Sequence, residues 1–259
     1  MEYLLVCATA LFAAGLTLFS GFGLGTLLMP AFLLFFAPGV AVAATAVVHL
    51  SNNLFKLALL GRHADRRSVL GFGLPAAVAA VVGALVLGAL AELAPLAVWH
   101  IGSRACPITP LNLLFGFAIG FFALFDLLPR LRKLQFDRRW LPWGGLLSGF
   151  FGGLSGHQGA LRSAFLIKLG LSKEAFLATG IVCAVIVDVV RIPVYLGSEG
   201  LRSLADEDLG PVICATVAAF VGSYLGRRLM HKVKIEAIQL LVGVMLLLLA
   251  VGLAGGLLG

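Results

Sequence analysis

Two stretches decide how this chain folds: Ser20-Gly21-Phe22-Gly23-Leu24-Gly25, and Gly152-Gly153-Leu154-Ser155-Gly156-His157-Gln158-Gly159. Each cuts an apolar run that would otherwise read as one continuous hydrophobic segment. The first interrupts residues 3–36 and the second residues 140–170. Beyond the second break, the ten residues from Ala160 to Leu169 reach only about 15 Å as a helix, roughly half of the hydrocarbon thickness of a bilayer. Both regions therefore read as re-entrant or broken helix pairs. Outside them, roughly residues 40–60, 69–91, 109–129, 174–196, 208–229 and 236–258 are each long and apolar enough for a full crossing.

Composition agrees. Of the 259 residues, 61% are hydrophobic and 12% charged, with a mean hydropathy of +1.07. A soluble domain carries about 25% charged residues, so this chain lacks the polar surface that water would require. The same balance excludes disorder. The formal net charge of +7 is read as topology and not as nucleic-acid binding, because the basic residues fall between apolar runs. Cys7, Cys106, Cys183 and Cys214 show no CxxC spacing, so neither a disulfide framework nor a metal site is expected, and no cofactor is implied. Met1-Glu2-Tyr3 lacks the basic region of a cleaved signal peptide.

Loop charge sets the orientation. Arg62, Arg66 and Arg67, the central group Arg130, Arg132, Lys133, Arg138 and Arg139, the pair Lys168 and Lys173, and the group Arg227, Arg228, Lys232 and Lys234 hold 14 of the 19 basic residues. The positive-inside rule places them in the cytoplasm. The acidic loop with Glu199, Asp206, Glu207 and Asp208, and the 92–108 segment, then lie outside. Both termini are expected in the periplasm of a multi-pass inner-membrane protein. Loop charge fits re-entrant and fully crossing broken helices equally. Trp99, Trp140 and Trp143 read as interfacial anchors.

An internal repeat divides the chain. Gly25 and Gly159 close the two breaks at an offset of 134 residues, and Ala44-Thr45 and Ala178-Thr179 follow at the same offset. The expected architecture is an all-α polytopic membrane protein of two inverted repeats, each with a broken pair and three transmembrane helices. The repeats run over 1–129 and 136–259, joined by a basic cytoplasmic linker at 130–135. Inverted repeats with broken helices meeting near the midplane recur in transporters.

On these residues the chain resembles a known family. Ser20-Gly21-Phe22-Gly23-Leu24-Gly25-Thr26-Leu27-Leu28-Met29-Pro30, with Ala43-Ala44-Thr45-Ala46 and Ser51-Asn52-Asn53, is similar to the first-repeat motif of the TauE/SafE sulfite exporters, and the second glycine cluster supplies the other copy. The resemblance covers essentially the whole chain. It implies transport of small sulfur-containing anions such as sulfite or organosulfonates. The second copy departs from the family pattern at His157-Gln158 and Arg162, and no proline follows.

Several residues are expected to carry transport. Broken helices leave backbone N–H groups unpaired at the start of the next arm, and these groups and the helix dipole favour anions. Gly23, Gly25, Gly156 and Gly159 would let backbone approach an anion there; the bland reading is close helix packing. Arg162, three residues past the second break, has a planar guanidinium suited to sulfonate oxygens. His49, Asn52, Asn53 and Lys56 follow an i, i+3, i+4, i+7 pattern, so one polar face should turn inward, either to hold an anion or to bond neighbouring helices. Asp188 and Arg191 share a helix face. They form either a local ion pair or a coupling carboxylate beside an anion-holding arginine. Asp188 and His49 are the expected proton-coupling groups, while His157 and Gln158 belong to the substrate tip. Partners are thus a small anion, protons and phospholipid, with no nucleic acid; a homo-oligomer is compatible with the sequence. Competing functions are an anion channel and, from Gly153-Leu154-Ser155-Gly156, an intramembrane serine protease, which lacks a histidine on any later crossing.

Overall fold

The computed structural model describes residues 2–20, 24–198, 209–229 and 235–258. Gly21, Gly23, the acidic residues 199–208 and the 230–234 stretch lie outside the described residues. The chain runs as α1 (Glu2–Ser20), α2 (Leu24–Leu33), α3 (Pro38–Leu60), the short α4 (Arg66–Ser68), α5 (Leu74–Ala91), β1 (Ala97–Ile101), β2 (Arg104–Ile108), α6 (Pro110–Leu127), the short α7 (Pro129–Arg132), α8 (Leu141–Ser155), α9 (Gly159–Leu166), α10 (Lys173–Gly197), α11 (Gly210–Leu229) and α12 (Ile235–Ala254). A π turn over Val69–Gly73 joins α4 to α5, so Arg66–Ala91 forms one rod.

Local chemistry sets these boundaries. Thr109 and Ser172 cap α6 and α10 by accepting the amides of Asn112 and Ala175. Pro38, Pro110 and Pro142 stand in first turns, where a missing N–H does no harm. α8 ends where Gly156 turns left-handed at φ +78°. By length and composition, Pro38–His63, Arg66–Ala91 and Lys173–Gly197 suffice to cross a bilayer. The other expected crossings contain α6, α11 and α12. Large apolar side chains such as Phe117, Leu248 and Val251 are exposed, as lipid-facing residues should be.

The second expected break is present at Gly156–Gln158, between α8 and α9; the first falls at residues 21–23, outside the described residues. α1 packs against α2 and α8 against α9, leaving one short arm after each break. Around them the packing is reciprocal: α8 lies on α5 and α1 on α11, α10 contacts α5 and α3 contacts α11, α3 meets α10, and α6 meets α12. The closest approaches rely on missing side chains. A Cβ at Gly149 or Gly153 of α8 would overlap the Ala76 or Ala80 carbonyl of α5, and one at Gly222 of α11 would overlap the Leu11 carbonyl of α1.

One element departs from the all-helical expectation. Residues 97–108 form an antiparallel hairpin in which Ala97 pairs with Ile108 and Ile101 with Arg104. Gly102 starts its two-residue turn at φ +60°. Trp99 Nε1 donates to the Gly255 carbonyl at 2.8 Å and Arg104 Nη2 to the Leu257 carbonyl at 2.8 Å. The hairpin therefore straps the end of α12, a role beyond the anchoring expected of Trp99.

Candidate functional site

The two broken regions meet. A Cβ on Gly25, the second residue of α2, would stand 3.1 Å from the Gly156 carbonyl oxygen and 3.5 Å from Thr45 Cγ2. A side chain at residue 25 would press on the turn between α8 and α9, which would have to give by a few tenths of an ångström. Gly159 opens α9, and its neighbours Gly156, His157 and Gln158 are buried with it. Gly23 lies outside the described residues.

The polar stripe of α3 points inward as its spacing predicted: His49, Asn52, Asn53 and Lys56 are all buried. His49 Nδ1 donates to Asp188 Oδ2 of α10 at 2.6 Å. That tautomer leaves Nε2 as an acceptor, and the Asn53 amide nitrogen stands 3.3 Å from it. Lys56 Nζ donates to Thr17 Oγ1 at 2.7 Å. Turned so that its oxygen accepts from Lys56 Nζ at 3.1 Å, the Asn52 amide donates to Ser223 Oγ at 2.7 Å and to the Ala219 carbonyl at 3.2 Å. This orientation gives the ammonium, which only donates, a second acceptor. The stripe thus reaches α10, α1 and α11 together.

Arg191 is fully engaged by protein. Its Nε and Nη2 lie 3.0 and 2.8 Å from Asp188 Oδ1, and its Nη1 donates to the Gly152 carbonyl and approaches Tyr195 Oη at 3.3 Å. Tyr195 Oη in turn donates to the Gly153 carbonyl. Arginine and tyrosine together satisfy two carbonyls in the last turn of α8 and hold the second break in place. Asp188 and Arg191 form an ion pair in this geometry. Sequence reasoning passed over Tyr195, although Asp188, Arg191 and Tyr195 follow i, i+3, i+7 spacing on one face.

Arg162 contrasts with Arg191. It sits one turn past Gln158 on α9, and its own N–H donates to the Gln158 carbonyl at 3.0 Å. Its side chain lies over Gly180 of α10, where Nε would be 3.5 Å from a Cβ. It stands close enough to Lys56, His49 and Asp188 for their charges to act on one another. Yet Arg162 Nη1 is buried without a hydrogen-bond partner, and so are Gln158 Nε2, His157 Nε2 and Thr45 Oγ1. Gln158 is the N-cap of α9 and Arg162 stands one turn into it; the Gln158 side chain lies against Gly152 of α8.

His157 packs its ring parallel to Phe122 of α6, with centroids 5.4 Å apart. Its Nδ1 lies 2.9 Å from the Ser155 carbonyl and 3.3 Å from Ser155 Oγ. A carbonyl only accepts, so Nδ1 carries the proton and is no base for the serine. The Ser155 hydroxyl donates to the Phe151 carbonyl at 3.2 Å. The GxSG motif closes the C-terminal end of α8.

Among the described residues, the charged groups of this interior are Lys56, Arg162 and Arg191 against the single carboxylate of Asp188. With His49 neutral and Lys56 protonated, that is a surplus of two positive charges. The profile of the family described as "Sulfite exporter TauE/SafE" matches residues 6–253. No curated protein matches the chain, and neither does any solved structure.

Proposed function

Because the chain belongs to the sulfite exporter TauE/SafE family, a family of membrane transporters, we propose that it is a secondary carrier that moves sulfite or an organosulfonate across the inner membrane by alternating access. The observation that carries this reading is the buried, unpartnered Nη1 of Arg162, near enough to Lys56 for their charges to interact and one turn from the unpartnered Gln158 amide. A cation at membrane depth costs about 3 kcal/mol or more unless it is matched. Neither Arg162 nor Lys56 has a carboxylate within ion-pair distance among the described residues. An oxyanion would match both. The guanidinium grips two of its oxygens, Lys56 supplies a point charge, and the Gln158 amide donates to a third.

The reciprocal packing supports the inverted-repeat reading. Exchanging α1 with α8, α3 with α10, α5 with α11 and α6 with α12 turns each of the main contacts into another of them. Rocking one half against the other would move Gly25 relative to Gly156 and change the side from which water reaches Arg162. His49 and Asp188 form the coupling pair: a proton shared across their 2.6 Å contact would offset the charge of an arriving anion. Cytoplasmic basic loops and periplasmic termini complete the arrangement.

Flux into proteoliposomes tests this. Saturable uptake of labelled sulfite or a small sulfonate is expected, stimulated by an inward proton gradient and lost in Arg162→Gln at equal insertion. Undiminished uptake by Arg162→Gln removes the proposed site. Currents at pore rates in the unmodified protein replace the carrier with a channel.

A further inference from the structure

The unpartnered atoms of the interior are not all donors. Arg162 Nη1 and Gln158 Nε2 can only donate, and the Thr45 hydroxyl can do either. His157 Nε2 differs. Because Nδ1 gives its proton to the Ser155 carbonyl at 2.9 Å, the neutral ring presents a bare lone pair at Nε2. The ring is 2% exposed and held flat against Phe122, so it cannot swing that lone pair out to solvent. Gly156, its chain neighbour, touches the α2 arm through Gly25 and lies beside Arg191, where a Cβ would stand 3.5 Å from Nη1. His157 thus stands in the buried turn that the start of the α2 arm meets. A buried acceptor left without a donor is unfavourable, and a bare oxyanion brings no donor.

We propose that His157 is a specificity-determining residue, and that it selects anions which carry a hydrogen-bond donor of their own. This rests on the carrier reading above and narrows its substrate class. Such a donor has two sources: a proton on the oxyanion itself, as in hydrogensulfite, or a hydroxyl or ammonium group on the carbon chain of a sulfonate. In either case Arg162, Lys56 and Gln158 take the oxygens while His157 Nε2 accepts from the O–H or N–H. A sulfonate of the same shape but without that group leaves the lone pair bare. Sites built around such a bond reject the analogue lacking it far more strongly than apolar pockets reject a missing methylene.

Isothermal titration of the purified full chain in detergent tests this with matched pairs. Isethionate against ethanesulfonate isolates a chain-borne hydroxyl, and hydrogensulfite against methanesulfonate isolates a proton on the oxyanion. The expected result is tighter binding of one donor-bearing member by roughly tenfold to a hundredfold, the range for leaving one buried acceptor unpaired. The pair that shows it identifies the source. In His157→Phe, which keeps the stack on Phe122 and removes both nitrogens, that ratio should collapse towards one. His157→Gln, which restores an acceptor oxygen, should recover part of it. Equal affinities within both pairs for the unmodified protein overturn the proposal, as does a ratio unchanged in His157→Phe. A preference for the donor-free member that grows as pH falls also overturns it, since His157 would then act as a cation. If His157→Phe does not fold, the unmodified ratios and those of His157→Gln decide alone. Failure of the unmodified protein to bind any of the four anions sinks the carrier reading instead, so the two failures are distinct.

Discussion

Arg191 and Arg162 should respond in opposite ways to loss of charge. Arg191 is 1% exposed and Asp188 fully buried, and every nitrogen of the guanidinium has a protein acceptor or partner. In Arg191→Gln the Asp188 carboxylate keeps only His49, and the Gly152 carbonyl keeps only the Gly156 N–H, at 3.1 Å. Breaking a buried ion pair by removing one partner costs about 3–5 kcal/mol. Arg162 offers Nη1 to no protein atom and sits among like charges. Arg162→Gln should therefore change stability by less than about 1 kcal/mol, typical of a substitution that removes no satisfied partner. Unfolding in mixed micelles titrated with SDS, followed by circular dichroism, separates the two by at least about 2–3 kcal/mol. The double variant Asp188→Asn with Arg191→Gln should lose less than the sum of its singles, because the uncompensated charge goes with its partner. Equal destabilisation by Arg162→Gln and Arg191→Gln, or strict additivity of the pair, would refute the division into a structural and a substrate-facing arginine.

Two further outcomes follow from the geometry. Gly156→Ala places a Cβ on a residue at φ +78°, a conformation that costs an L-residue about 1–2 kcal/mol; SDS unfolding should show that loss, and transport should fall further because the turn facing Gly25 shifts. In the loop between α3 and α5, the hydroxyl and then the backbone amide of Ser68 hold the Asp65 carboxyl below its ordinary value, with Arg138 and Arg67 adding to the shift. A carboxyl lowered by folding stabilises fully above the unfolded value of about 3.9 and loses that contribution as pH falls through the lower folded value. Amide exchange at Ser68 should therefore accelerate in that acid window, and Asp65→Asn should abolish the pH step.

The sequence disclosed the parts whose logic is local. Two glycine-rich interruptions, an i, i+3, i+4, i+7 stripe from His49 to Lys56, and an arginine three residues past a break can all be read along the chain. What escaped it was the pairing across distance. Spacing alone placed Asp188 beside Arg191, but not Asp188 against His49, which lies 139 residues away. Nor could it say that Arg191 and Tyr195 would satisfy the Gly152 and Gly153 carbonyls, since the end of one helix is satisfied here by the side of another. Arg191 looked as suitable for an anion as Arg162; only the count of satisfied donors separates them. The hairpin was missed for a different reason. Gly102-Ser103 between two short apolar runs is a legible turn signal, but Ala97–Ile101 is exposed along its whole length and shows no alternation to mark a buried face.

The imbalance of charge carries the mechanism further than any single contact. Asp188 is already matched by His49 and Arg191, so it cannot also neutralise Arg162 and Lys56. Sealed from water and empty, the interior would hold two cations with no counter-charge, and the expense of such a state rises as the surrounding dielectric falls. On the carrier reading proposed above, the empty protein would keep water at Arg162 and stay open on one side. An anion removes the surplus and makes the sealed state accessible, which ties occlusion to loading without any separate sensor. The Gly25–Gly156 contact sits where that change would be felt, because it joins the α2 arm to the turn that presents Gln158 and Arg162. A substitution that neutralises Lys56, such as Lys56→Met, relieves half of the surplus and should let the empty protein close. The expected signature is anion exchange giving way to leak: net flux without a counter-substrate rises relative to exchange in proteoliposomes. Exchange and net flux reduced in equal proportion would show that the charge surplus does not govern closure.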